Sequence, residues 1–343
     1  MMRRVYLSLL FLFLSSLSFA ADVELNPNHP QQYEVVRGDT LWDISGKFLR
    51  YPWHWPTIWQ ANSQIENPHL IYPGDLLTLV YRDGQPFLEL SRGPTLMKLS
   101  PEIREIVTEA AISTIPLDAI QAFLTRPEVL AEETLTSAPY IVASSEERLI
   151  SGAGDNVYVR GDIAEGEKHF SVFEAGQVYT DSETQEVLGY EAIYKGDAWL
   201  VVDADVDTVT LHKTTQEVLV GDRLLPALDS DADMNFFPRT PDQDISGAII
   251  SVFGGVSQVG QYQVVVLDRG ARNGLEKGHV LSVYQVGETI LDSVTPDRKD
   301  TVKLPDEHAG EAMVFKVFEK VSYAIVMKAT RAIHIADKVV SAQ

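Results

Sequence analysis

Tyr33-Glu-Val-Val-Arg-Gly38-Asp39-Thr40-Leu41-Trp42-Asp43-Ile44 and, further along, Asn67-Pro68-His69-Leu70-Ile71-Tyr72-Pro73-Gly74-Asp75-Leu76-Leu77 are the two ends of one small unit. Tyr33 and Val35 alternate with polar neighbours, as a half-buried strand does, and Gly38-Asp39 then turns the chain. Helical spacing follows at once. Thr40 is placed to cap a helix by accepting the backbone N–H of Asp43, whose carboxylate reaches back to the cap. Leu41, Ile44 and Phe48 recur at helical intervals and give that helix one apolar face. A second short helix is expected from Pro56 to Ala61, because proline suits a first helical turn. Pro73-Gly74-Asp75 is a turn signal, and Leu76 to Val80 reads as the closing strand. The order is strand, helix, helix, strand.

With Gly-Asp-Thr-Leu at 38–41 and Ile-Tyr-Pro-Gly-Asp at 71–75, this unit resembles a LysM module, a small domain that grips polymers containing N-acetylglucosamine. The resemblance implies a shallow sugar groove between the loop opening the first helix and the loop before the last strand. Carried over by position, one wall is Gly38, Asp39, Thr40 and Leu41, and the other is Ile71, Tyr72, Pro73 and Gly74. Glycine at 38 and 74 either lets main-chain groups approach an acetamido group or is demanded by turn geometry alone. Leu41 and Ile71 suit shelter for the acetamido methyl, and no reactive side chain is needed. Tyr51-Pro-Trp-His-Trp-Pro56 is longer than the shortest LysM pattern; it is similar to a longer-loop bacterial subgroup with Trp-Pro-x-Ile-Trp-x-Ala-Asn, here Trp55 to Asn62. Trp42, Trp53, Trp55 and Trp59, with Tyr51, suit either a sugar-stacking platform or the core, the commoner use of such aromatics.

At the amino terminus, Arg3-Arg4 precedes an apolar run from Val5 to Leu17 that ends in Ser18-Phe19-Ala20-Ala21. This is the pattern of a secretory signal peptide cleaved after Ala20, and the run is shorter than the ~20 residues of a spanning helix. The chain has no cysteine, so disulfides, thiol catalysis and a lipidated cysteine are excluded. With 49 acidic residues against 28 basic ones, the formal charge is −21. Such a surface repels phosphate polyanions, which argues against nucleic acid or an anionic membrane as partner. Neutral acetamido and hydroxyl groups on a glycan are less affected.

The 343-residue chain has room for two or three domains in all. Ser100-Pro101-Glu102 reads as a cap before a helix carrying Ile103, Ile106, Val107 and Ala110. Pro116 starts a second helix, Leu117 to Leu124, ended by Pro127, and a third is expected from Glu128 to Leu135. From Tyr140 onward short Val-, Ile-, Tyr- and Phe-rich runs separated by Gly and Asp predict small β structures, and an internal repeat is visible. Val157-Tyr-Val-Arg160-Gly161 corresponds to Val266-Leu-Asp-Arg269-Gly270, and Phe170-Ser-Val-Phe173 to Leu281-Ser-Val-Tyr284. Lys213 to Leu224 likewise corresponds to Lys328 to Val339. The expected organisation is a signal peptide at 1–20, a LysM domain at 31–81, a helical connector at 82–138, β repeat 1 at 139–226, an acidic linker at 227–241 and β repeat 2 at 242–343. The fold class is thus α+β multidomain: a βααβ module, a helical connector and two repeated small mainly-β barrel-like domains.

Few residues suggest chemistry. Asp229, Asp231, Asp233 and Asn235 alternate like the first ligands of a calcium loop, but Met234 and Thr240 stand where glycine and the bidentate glutamate belong. The eight histidines, His29, His54, His69, His169, His212, His279, His308 and His334, lack zinc-ligand spacing, and Ser-x-x-Lys and Gly-x-Ser-x-Gly are missing. A lysozyme-like carboxylate pair has many candidates but no helical or barrel context of the usual kind. The expectation is a non-catalytic, secreted, periplasmic wall-associated protein that needs no metal or cofactor. Peptidoglycan strands would be its partner, and a protein partner would meet residues 140–343. The alternatives are an envelope interaction or assembly protein whose β repeats carry the main function and, less favoured, a wall hydrolase.

Overall fold

The computed structural model describes residues 23–59, 71–82, 84–92, 111–125, 128–145, 148–227, 236–253, 258–292, 294–295 and 299–342. The expected signal peptide, Asn62, the 67–70 segment, the 103–110 helix and the aspartates of the acidic linker lie outside these residues.

β1 (Gln32–Glu34) pairs antiparallel with β2 (Leu76–Arg82), with Tyr33 opposite Leu77. Between them lie α1 (Leu41–Phe48), a 3-10 turn at Pro52–His54 and α2 (Trp55–Trp59). The cap of α1 is local chemistry: the Thr40 hydroxyl accepts the Asp43 N–H at 3.1 Å and donates to the Asp43 carboxylate at 2.7 Å. Leu41, Ile44 and Phe48 are buried with Trp55, Ile58, Ile71 and Leu77 in one core. Trp42, Trp53, Trp55 and Trp59 are no more than 5% exposed, so they serve packing and form no open sugar platform.

The stretch after residue 82, expected to begin a helical connector, begins instead with a third strand, β3 (Gln85–Ser91), which pairs along all of β2. Gly84 makes this turn at φ +81, and Leu88 then lies opposite Leu79, both buried. Pro116 does precede a helix, α3 (Leu117–Thr125). The helix expected over 128–135 is divided: Glu128–Leu130 is strand β4, Ala131 is extended, and α4 (Glu132–Ser137) follows.

Two six-stranded rings complete the chain. The first contains β5 (Tyr140–Ser144), β6 (Asn156–Arg160), β7 (His169–Thr180), β8 (Val187–Val202), β9 (Asp207–Thr214) and β10 (Arg223–Pro226). Its order is β8-β7-β10-β5-β6-β9, with β9 pairing back to β8, while β4 adds to the free part of the long β8. In the second lie β11 (Ser246–Val252), β12 (Val264–Leu267) and β13 (Val280–Gln285). A hairpin of β14 (Thr289–Leu291) and β15 (Thr301–Lys303) precedes β16 (Glu307–Val317), β17 (Ser322–Ala329) and β18 (Lys338–Ser341). This barrel closes in the order β11-β12-β17-β16-β13-β18. Leaving out β4, β14 and β15, the pairing order is the same strand for strand. Leu224 faces Val172 as Val339 faces Val283, and the Ile141 N–H reaches the Asp222 carbonyl as the Ile249 N–H reaches that of Asp337.

The second barrel is buried on both sides of its wall. Val265, Leu267, Ala312, Val314, Ala324 and Val326 fill the interior, while their neighbours Val264, Val266, Met313, Phe315, Tyr323 and Ile325 face outward into another core. That outer core also takes in Trp42 and Trp53 of the N-terminal module, Ile115 and Ile120 before and on α3, and Tyr179 and Leu188 of the first ring. One apolar layer therefore ties the N-terminal module, α3 and the first ring to the outside of the second barrel. Polar bonds join the two rings beside it: Arg269 to Asp181 at 3.0 Å, Ser182 to Asp268 at 2.7 Å, and Arg272 to Glu186 through two bonds of 2.9 and 3.0 Å.

Candidate functional site

The two loops of the N-terminal module are built alike. In each, a glycine takes a left-handed conformation, Gly38 at φ +94 and Gly74 at φ +89, and the following aspartate accepts the N–H three residues back. Asp39 holds Val36 at 2.9 Å and also accepts the Tyr33 hydroxyl at 2.9 Å; Asp75 holds Tyr72 at 3.0 Å. A Cβ on either glycine would meet nothing within 4 Å, so turn geometry demands these glycines. Burial, with Asp39 next in weight, pushes the Tyr33 hydroxyl up to about 12.

These turns stand side by side. The Gly74 N–H donates to the Val35 carbonyl at 2.7 Å, and the Val35 N–H to that of Asp75 at 2.8 Å. The structure thus brings Gly38, Asp39, Thr40 and Leu41 next to Ile71, Tyr72, Pro73 and Gly74. Gly38 and Gly74 are exposed, Asp39, Tyr72 and Pro73 half-buried, and Thr40, Leu41 and Ile71 buried.

Leu41, Trp42 and Asp43 open α1, where backbone N–H groups have no partner inside the helix. Asp43 is served by Thr40. The other two donate to a segment distant in sequence, Leu41 to the Ser113 carbonyl at 2.9 Å and Trp42 to that of Thr114 at 3.1 Å. From the other side, the Ile112 N–H donates to the Ile71 carbonyl at 2.8 Å. Residues 112–114 therefore lie between the two loops, bonded to both. Ile112 is buried in the same cluster as Leu41 and Ile71.

Residues 33–80, the stretch that contains both turns, match the LysM domain family. This stretch is a LysM domain. LysM domains bind glycans, peptidoglycan among them; they are binding rather than catalytic units and typically occur in cell-wall-associated proteins. The chain is also similar to the uncharacterized protein YqbP of Bacillus subtilis (strain 168), 38% identical over 60 residues, which are 15% of this chain and 27% of that protein. The chain thus spans about a quarter of that relative's length.

The LysM domain is also fastened from outside. Asp43, whose Oδ2 takes the Thr40 hydroxyl, accepts at Oδ1 the hydroxyl of Tyr262 in the second barrel at 2.9 Å. Burial first, and Asp43 second, push the Tyr262 hydroxyl up to about 12. Neither Tyr262 nor the 112–114 segment was signalled by any motif. The available hint was Ile115-Pro116: a residue before proline is driven out of the helical region, so an extended entry to α3 was to be expected.

Among the described residues no group of three or more His, Asp and Glu side chains could hold a metal ion. No described helix is long and apolar enough to cross a membrane.

Proposed function

We propose that this protein is a non-catalytic peptidoglycan-binding component of the cell envelope. Glycan containing N-acetylglucosamine is held between Gly38–Leu41 and Ile71–Gly74, and the two β barrels are carried to the wall with it. The observation that supports this most is the chemistry of the main chain between the loops. Two N–H donors, from Leu41 and Trp42, and one acceptor, the Ile71 carbonyl, converge on secondary amides there, beside the buried Leu41 and Ile71 side chains. An acetamido group is a secondary amide ending in a methyl, so the same donors, acceptor and apolar floor suit it. The carboxylates of Asp39 and Asp75 are engaged in their own turns, which leaves recognition to neutral groups.

The residue pattern at 1–20 supports export and a periplasmic location at the wall. We read residues 139–226 and 242–343 as two copies of one barrel module, a reading supported by their common pairing order. A single shallow groove binds weakly, with ~1 mM corresponding to about −4.1 kcal/mol, and repeated sites along a polymer raise retention.

The test is co-sedimentation of the full chain with insoluble peptidoglycan, native or chemically de-N-acetylated. Binding that depends on the acetamido groups, and that the Leu41→Asp, Gly74→Trp variant loses, is the expected result. Equal retention on both polymers would contradict the groove.

A second reading makes the barrels the main functional part, as an envelope interaction surface. It is favoured by an exposed apolar strip on the first ring, where Trp199 (46% exposed) stacks on His212 near Val201 and Val202. A photo-crosslinking residue at position 199 tests it: a discrete protein adduct in living cells supports this reading, and none argues against it.

A further inference from the structure

We infer that residues 111–115 are an autoinhibitory strap, an intramolecular stand-in for the glycan that keeps the LysM groove closed until it is displaced. The inference rests on the glycan-binding reading of that groove. Its warrant is that the strap consumes the groups a ligand would need. Leu41 and Trp42 spend their N–H groups on the Ser113 and Thr114 carbonyls, and the Ile71 carbonyl accepts from Ile112. The Ile112 side chain joins Leu41 and Ile71 in their buried cluster, the place assigned to an acetamido methyl. Peptide units thus satisfy both walls at once, and an incoming amide finds neither donor nor acceptor until they leave.

The strap is also moored beyond the groove. Ile115 and Ile120 are fully buried in the core on the outer face of the second barrel, with Trp42, Val264 and Tyr323. Phe123 of α3 packs on Phe253 with ring centroids 4.7 Å apart. Withdrawing residues 112–114 therefore disturbs α3 on the barrel, and a shift of α3 on the barrel slackens the strap. Binding at the groove and the seating of α3 are linked, and by reciprocity each biases the other. Glycan affinity is reduced by the fraction of molecules in which the groove is open.

The experiment compares full-length protein with full-length Ile112→Asp, which places a charge in the apolar site and expels the strap while leaving both loops intact. The probes are a soluble N-acetylglucosamine tetramer and insoluble peptidoglycan, with amide exchange at Leu41 and Trp42 followed by NMR. In the unaltered protein both amides should be protected before ligand is added, with weak binding. In Ile112→Asp they should exchange freely, affinity should rise by about tenfold or more, and the tetramer should restore their protection. Should Ile112→Asp fail to fold, judged by exchange in β2, Ile112→Gly serves in its place. Equal affinity in the two proteins, with the tetramer contacting Leu41 in both, would overturn the strap and leave the groove standing. Binding by neither protein, with the amides freed in the variant, would overturn the groove and the strap with it.

Discussion

Tyr262→Phe isolates the polar bond between the LysM domain and the second barrel. The Tyr262 hydroxyl lies 2.9 Å from Asp43 Oδ1 in a part-buried setting, and its ring packs against the outer core. The substitution keeps the ring and removes one hydrogen bond to a carboxylate, a class of bond contributing about 1.5–3 kcal/mol. Partial access to water places the expected loss toward the lower end, about 1.5 kcal/mol. Asp43→Ala should cost more, because the same carboxylate also accepts the Thr40 hydroxyl at the cap of α1. Urea unfolding followed by tryptophan fluorescence suits the measurement, since Trp42 and Trp53 occupy the core beside this bond. The double variant should lose about 1 kcal/mol less than the sum of the single losses, which is the signature of a shared bond. Losses that add to within about 0.3 kcal/mol, with unchanged urea slopes, would show that the two side chains do not interact.

Two further predictions concern the barrels. Ala336 holds φ +73 at the turn where the first ring has Gly221 at φ +99, so Ala336→Gly should stabilise the chain. About 1–2 kcal/mol of strain is relieved against about 0.4–1 kcal/mol of added unfolded-state freedom. A higher urea midpoint for Ala336→Gly and a lower one for Gly221→Ala are expected, and a lower midpoint for the former would refute this account. Between the rings, Asp181 is held down to about 2, chiefly by the Thr184 N–H, with the Glu183 N–H and Arg269 adding to it. Glu186 is held down to about 2, chiefly by Arg272 and then Lys320. Both folded values lie below those of an unfolded chain, near 4. Their contribution is therefore fully present above about pH 4 and is lost as pH falls toward 2. Acid titration of Asp181→Asn, Glu186→Gln should show a shallower fall in stability between pH 4 and 2; an unchanged fall would rule these pairs out as its cause.

What could be read from the residues was local. The capping of α1 by Thr40 and Asp43, the Gly-Asp turns at 38–39 and 74–75, and the proline opening α3 each follow from bonds within four residues. Residues 85–91 were harder, since Pro86 and Glu89 obscure a strand that becomes evident only against β2. The segment at 128–135 has helical composition, yet pairing with Tyr190, Glu191 and Ala192 draws its first part into a sheet. The four tryptophans admitted two readings because stacking platforms and cores use the same side chain, and burial decides between them. The two turns flanking the loops were legible, and the 112–114 segment bonded between them was not. Ile112 reaches Ile71, and Tyr262 reaches Asp43, through tertiary contacts that no periodicity announces.

The double-sided burial of the second barrel has a consequence for how the protein would work at a wall. A sugar-binding domain on a loose tether lets its cargo swing; here Trp42, Trp53 and the Tyr262 hydroxyl clamp the domain to the barrel like a bracket screwed to a post. Under the proposed function, anything the barrels hold would be kept at a set angle and distance from a strand bound between the loops, and the molecule would serve as a gauge of spacing.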